Sequence, residues 1–162
     1  MKNKRLCFFA FIGSDNLGDE AIFYYIISNF ENKNYILNIL SFNPSKTKKL
    51  LKDLNLKNLN IINIKNSVKV IKTIKNSDVF ICGGGGIIQD ETSIFNLPLY
   101  LSKVFLAKLF NKKIMIYGVG VGPLKSRFSK LLTKYKSRCA RIITVRDKAS
   151  KKILIESGVN KN

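Results

Sequence analysis

The chain has 162 residues, enough for one domain with a proper core, and its 46% hydrophobic content excludes a disordered protein. Lys and Arg number 29 against 10 Asp and Glu, a net charge of +19; the cations are nearly all Lys, spread over every expected helix without interleaved aromatics. That pattern reads as a solvated coat that attracts small anions, and it argues against a nucleic-acid partner. The absence of histidine removes Ser-His-Asp and Cys-His catalysis, and the commonest metal ligand, from anything this chain does alone.

The N-terminus, MKNKRLCFFAFIGSDN, has the basic start and short apolar run of a signal peptide but leads into Gly-Ser-Asp-Asn instead of a small-x-small cleavage site. No segment approaches the roughly 20 apolar residues of a membrane span. The expectation is a soluble, cytoplasmic chain, either free or peripheral to the inner face of the membrane. Residues 6–12 form a continuous β-branched and aromatic run, the first expected strand. A helix over 19–30 follows, with Ile22, Tyr25 or Ile26, and Phe30 on one side. Residues 35–42 read as the second strand, 45–54 as a Lys-rich helix opened by Asn43-Pro44-Ser45, and 59–64 as the third strand. A helix over 68–75 would bury Val68, Ile71 and Ile74. Residues 79–82 give a short fourth strand running into four consecutive glycines.

Asn96 can cap the next helix, with Pro98 in its first turn and a stripe of Leu97, Leu101, Val104 or Phe105, and Leu109. Residues 114–119 are the fifth strand, 127–138 a helix, 142–145 the sixth strand, and 148–156 a helix ended by Gly158. Cys7, Cys82 and Cys139 are odd in number and far apart, without a CxxC pair, and read as small residues of a reducing compartment. Strand followed by helix, six times over short connections, predicts an α/β domain: an open parallel sheet of about six strands flanked by helices.

Ligands of such sheets bind beyond the carboxyl ends of the strands, and the unusual residues fall there. After the first strand come Gly13, Ser14, Asp15, Asn16, Leu17, Gly18, Asp19 and Glu20. After the fourth come Gly83, Gly84, Gly85 and Gly86, then Gln89 and Asp90; after the fifth, Gly118, Gly120 and Gly122; after the sixth, Arg146 and Asp147. Asn16 can cap the first helix, and Asp19 and Glu20 suit its positive end; with a ligand present, the two carboxylates fit sugar hydroxyls better than phosphate, Asp19 accepting their protons. The first loop is no Walker A motif, since Asp-Glu follows Gly18, and the Gly118, Gly120, Gly122 spacing is no dinucleotide fingerprint. The four glycines offer consecutive backbone N–H groups to an oxyanion or sugar oxygen, or else serve close packing. Arg146 at a strand end suits phosphate or carboxylate, with a local pairing to Asp147 as the bland alternative.

Together, NLGDEAI at 16–22, GGGGIIQD at 83–90, MIYGVGVGPL at 115–124 and TVRDKAS at 144–150 resemble the N-terminal half of the polysaccharide pyruvyl transferase family. Gly86 stands where members often carry a small polar residue. The resemblance implies one half of a GT-B-like, two-domain fold, with residues 1–162 as a single Rossmann-like domain and the C-terminal domain absent. It also implies transfer of pyruvate from phosphoenolpyruvate, as donor substrate and with no cofactor or metal, onto a sugar of a cell-envelope polysaccharide, in some cases lipid-linked. Matching TVRD makes Arg146 the residue that grips the anionic donor, with Asp19 as its catalytic companion. Asn16, Asp19, Gln89 and Asp90 then face the acceptor or hold its loops, with Gly18, Gly83, Gly84, Gly85, Gly120 and Gly122 lining the site. The family's second half, with its histidine, would have to come from a longer reading frame, a second-domain chain or a homo-oligomer. The alternatives are half of a GT-B-like glycosyltransferase using a nucleotide-sugar, or a non-catalytic Rossmann-like remnant.

Overall fold

A computed structural model describes residues 3–88, 96–124 and 126–159. The expected alternation is there. In chain order the elements are β1 (Arg5–Phe9), α1 (Leu17–Ser28), β2 (Ile36–Ser41), α2 (Pro44–Leu50), β3 (Leu59–Asn63), α3 (Ser67–Lys75) and β4 (Val79–Ile88). Then follow α4 (Asn96–Leu109), β5 (Lys113–Val121), α5 (Arg127–Ser137), β6 (Ile142–Val145) and α6 (Lys148–Glu156). All strand pairs are parallel, in the order β3-β2-β1-β4-β5-β6. Strand order reverses between β1 and β4, which leaves a crevice at their carboxyl ends.

The period of two along each strand divides the core. Leu6 and Phe8 of β1, with Leu37 and Ile39 of β2, pack under Phe23 and Ile27 of α1 and Leu51 after α2. Cys7 and Phe9, with Phe80, Cys82, Ile114 and Ile116, face the other way, against Val70 and Ile74 of α3, Leu101 and Val104 of α4 and Leu154 of α6. Cys7 and Cys82 are buried, and burial pushes the Cys82 thiol up to about 12, so both act as small apolar residues.

Two helices turn differently from their sequence stripes. Val68 is 76% and Ile71 44% exposed, whereas Val70 and Ile74, one turn apart, enter the core. In α4, Leu109 is 65% exposed, while of the paired choices Ile26 in α1 and Val104 in α4 are the members that turn inward. The larger correction concerns β4, which runs through the glycines to Ile88 instead of ending at Cys82. Its pairing with β5 continues at Gly83↔Tyr117 and Gly85↔Val119, so a neighbouring strand overrides the poor strand propensity of glycine. Pairing with β1 stops at Phe9↔Cys82.

On the first face α1 lies over β4, while α4 and α6 pack on β5 from the second. Beyond α1, Met115 and Thr144 are half-buried, and Tyr117 and Ile142 are 40% and 50% exposed. A trough of about 750 Å³ runs there, between Ile22, Tyr25 and Ile26 of α1 and the strand residues Met115 and Tyr117, and reaches Arg146.

Candidate functional site at the switch point

The crevice is built by the chain leaving β1 and the overhang of β4. Asn16 caps α1: its Oδ1 accepts from the Asp19 amide at 3.4 Å, and its Nδ2 donates to Asp19 Oδ2 at 3.0 Å. This places the Asp19 carboxylate against the backbone of Gly85. A Cβ on Gly85 would collide with that carboxylate, and at φ +126° the position is closed to side chains on backbone grounds as well. The Gly86 amide donates to Asp19. Burial raises the proton affinity of Asp19, while the Gly86 hydrogen bond and the charge of Arg146 pull it back.

Arg146 comes to the same edge from β6. Its guanidinium fills the space a side chain at Gly120 would take, with Cζ 2.7 Å from the ideal Cβ position. Its Nε donates to Asp147 Oδ2 at 3.1 Å, and the side chain stays 54% exposed. Asp147 caps α6 by accepting from the Ser150 amide at 2.6 Å, and those hydrogen bonds hold its carboxyl below the usual range. The local Arg146–Asp147 pair is therefore present, and it coexists with a guanidinium that faces the strand ends. Ser150 Oγ accepts from the Val121 amide at 2.9 Å, which locks the start of α6 to the end of β5.

The structure thus brings Asn16, Asp19, Gly85, Gly86, Gly120 and Arg146 to one edge of the sheet. The glycine run does not form the open cradle of N–H groups read from the sequence. Gly83 and Gly85 sit in the ladder with β5, and the Gly86 amide is taken by Asp19. A Cβ on Gly83 would strike the Tyr117 carbonyl, so close strand packing accounts for that glycine. Gly84, at φ +78°, lies over Ile22 and Ile26 of α1. Gly122 donates its amide to the Ile88 carbonyl at 2.9 Å, tying the ends of β4 and β5, and Gly18 is exposed in the first turn of α1. Gln89 and Asp90 lie outside the described residues. Among the described residues no group of His, Cys, Asp and Glu could hold a metal ion, and no helix is long and apolar enough to cross a membrane.

Sequence reasoning passed over Tyr100, whose side chain is buried next to Phe9 at the end of β1. It lies one residue before Leu101, outside the expected stripe, and nothing in the sequence shows that its hydroxyl lacks a partner.

The family model of polysaccharide pyruvyl transferase matches residues 16–162. No curated protein matches the sequence significantly. Among solved structures, a UDP-N-acetylglucosamine 2-epimerase aligns with a TM-score of 0.62 at 12% identity, over 99% of this chain and 46% of that one. A Listeria monocytogenes chain named for the same epimerase activity aligns with a TM-score of 0.59 at 13% identity, over 99% and 43%. These likenesses show the fold: one Rossmann-like half of a GT-B-like architecture. The chain spans less than half the length of either structure.

Proposed function

Because the chain belongs to the polysaccharide pyruvyl transferase family, we propose that it takes part in moving pyruvate from phosphoenolpyruvate onto a saccharide. In that reaction C3 of the enol gains a proton, and C2 becomes an oxocarbenium centre. One sugar hydroxyl adds to C2 and a second displaces phosphate, giving a cyclic ketal. Two hydroxyl protons are released, one matching the proton taken by C3 and one carried off with phosphate.

Each residue has a task on this reading. Arg146 offsets the phosphate and carboxylate charge as the C2–O bond breaks. Asp19, made a better proton acceptor by burial, takes a proton from the attacking hydroxyl. Asn16 and the Gly86 amide fix the Asp19 rotamer. The groups that this domain lacks come from a second domain or chain closing over the strand ends, since catalysis needs them to converge.

The observation that carries the reading is the family match over 16–162, joined to the meeting of Asp19 and Arg146 at one sheet edge within electrostatic reach of each other. A nucleotide-sugar reaction has only the fold likeness in its favour. Calorimetric titration tests the proposal: phosphoenolpyruvate binds the native chain, and Arg146→Ala weakens it roughly ten- to a hundredfold. Equal titrations of the two proteins, or tighter binding of UDP-sugars than of phosphoenolpyruvate, would count against it.

A further inference from the structure

Buried side-chain polar groups in folded proteins have hydrogen-bond partners almost without exception, and each exception calls for a cause. Three described atoms are exceptions: Tyr100 Oη, Thr133 Oγ1 and Ser137 Oγ. The last two lie one turn apart on α5. Tyr100 is different in position. It sits in the second turn of α4 with 2% of its surface exposed, and its ring stacks on Phe9 with centroids 4.6 Å apart and planes 25° apart. Phe11 leans on the same ring at 6.5 Å. Phe9 is where the pairing of β1 with β4 ends, so the ring is fixed at the point where strand order reverses.

The stacking and the burial would be served as well by phenylalanine, whose ring fills the same space. The hydroxyl adds a desolvation cost and, among the described residues, finds nothing that offsets it. Its electrostatic neighbours are Cys82 and Asp19, so it shares the surroundings of the candidate site, and burial keeps it protonated. A locked, protonated phenol without a partner is a donor waiting for an acceptor. Functional sites are where such local costs are retained.

Resting on the pyruvyl-transfer reading, we propose that Tyr100 donates its hydroxyl hydrogen bond to an anionic oxygen of bound phosphoenolpyruvate, a donor contact separate from Arg146. The hydroxyl then reads the substrate from the α4 side of the sheet edge, while the guanidinium reads it from β6.

Tyr100→Phe keeps the ring and removes only the donor. The expected result is a melting temperature equal to or above that of the wild type, together with phosphoenolpyruvate affinity lowered about five- to fiftyfold. A variant that melts well below wild type places the missing partner inside the protein and overturns the proposal, as does unchanged affinity. If the wild type ignores phosphoenolpyruvate, the pyruvyl-transfer reading fails first, and inorganic phosphate and pyruvate become the probes. Weaker binding of either to the variant upholds the donor role; no difference overturns it.

Discussion

The two sides of the sheet are built to different rules. On the β1–β2 side, both faces of the strands are buried: Leu6, Cys7, Phe8 and Phe9 of β1 and Leu37, Ile39 and Leu40 of β2 are each 6% exposed or less. Polar groups there find local partners, as where Asn43 and Asn66 cap α2 and α3 and Ser41 bonds Thr47 at 2.7 Å. On the β4–β6 side, glycines replace side chains, a half-buried carboxylate sits on strand backbone, a phenol has no partner among the described residues, and the β5–β6 surface beyond α1 is open. The first side holds the fold together; the second tolerates features that cost stability, which is where chemistry is expected.

The largest test of that contrast is Gly83→Ala. The new methyl would meet the Tyr117 carbonyl, backbone that cannot move without breaking the β4–β5 ladder. We expect a loss of about 4 kcal/mol or more in urea unfolding, or no folded protein; a stable variant would show that the strands can part. Next is Ile39→Ala, a cavity in the fully buried side, which should cost about 3 to 4 kcal/mol and leave ligand affinity nearly unchanged once folded. Affinity lost in proportion to stability would erase the proposed division.

Gly120→Ala acts in the opposite sense. Its methyl displaces a half-exposed, flexible guanidinium, so the melting temperature should move by about 2 °C or less while phosphoenolpyruvate affinity drops about tenfold. The smallest effect concerns Asp19. Its folded pKa is raised, so the folded chain holds that proton more tightly than the unfolded one. The resulting stability is present below the ordinary carboxylate range and lost as pH rises through the raised value. Asp19→Asn should therefore melt slightly higher than wild type at neutral pH, and thermal scans should show the gap closing on acidification. A gap that ignores pH would mean that burial is not what raises the proton affinity.

Most of the fold was legible because alternating apolar runs and helical patterns report burial directly. The sixth strand and last helix match their expected bounds, and Gly158, at φ +82°, follows α6 as expected. The fourth strand was cut short because glycine signals loops in local sequence, while its pairing to Tyr117 and Val119 is a long-range fact. The face of α3 was misassigned because Val68, Val70, Ile71 and Ile74 offer two overlapping stripes, and only packing chooses between them. Asp19 and Arg146 could be named from motif and position. That Asp19 would take up the space of a Gly85 side chain, or that Tyr100 would lack a partner, depends on distances no residue pattern contains.

The overhang of β4 has a mechanical consequence. Past Cys82 the strand pairs, among the described residues, with β5 and no longer with β1, so a force applied there passes sideways through β5 into β6 and the segment carrying Arg146, and through the Gly86 amide to Asp19 at the start of α1. The inner ladder of β1, β2 and β3 bears none of it directly. Flexing at that margin can therefore shift the basic corner of the domain while the hydrophobic interior keeps its shape.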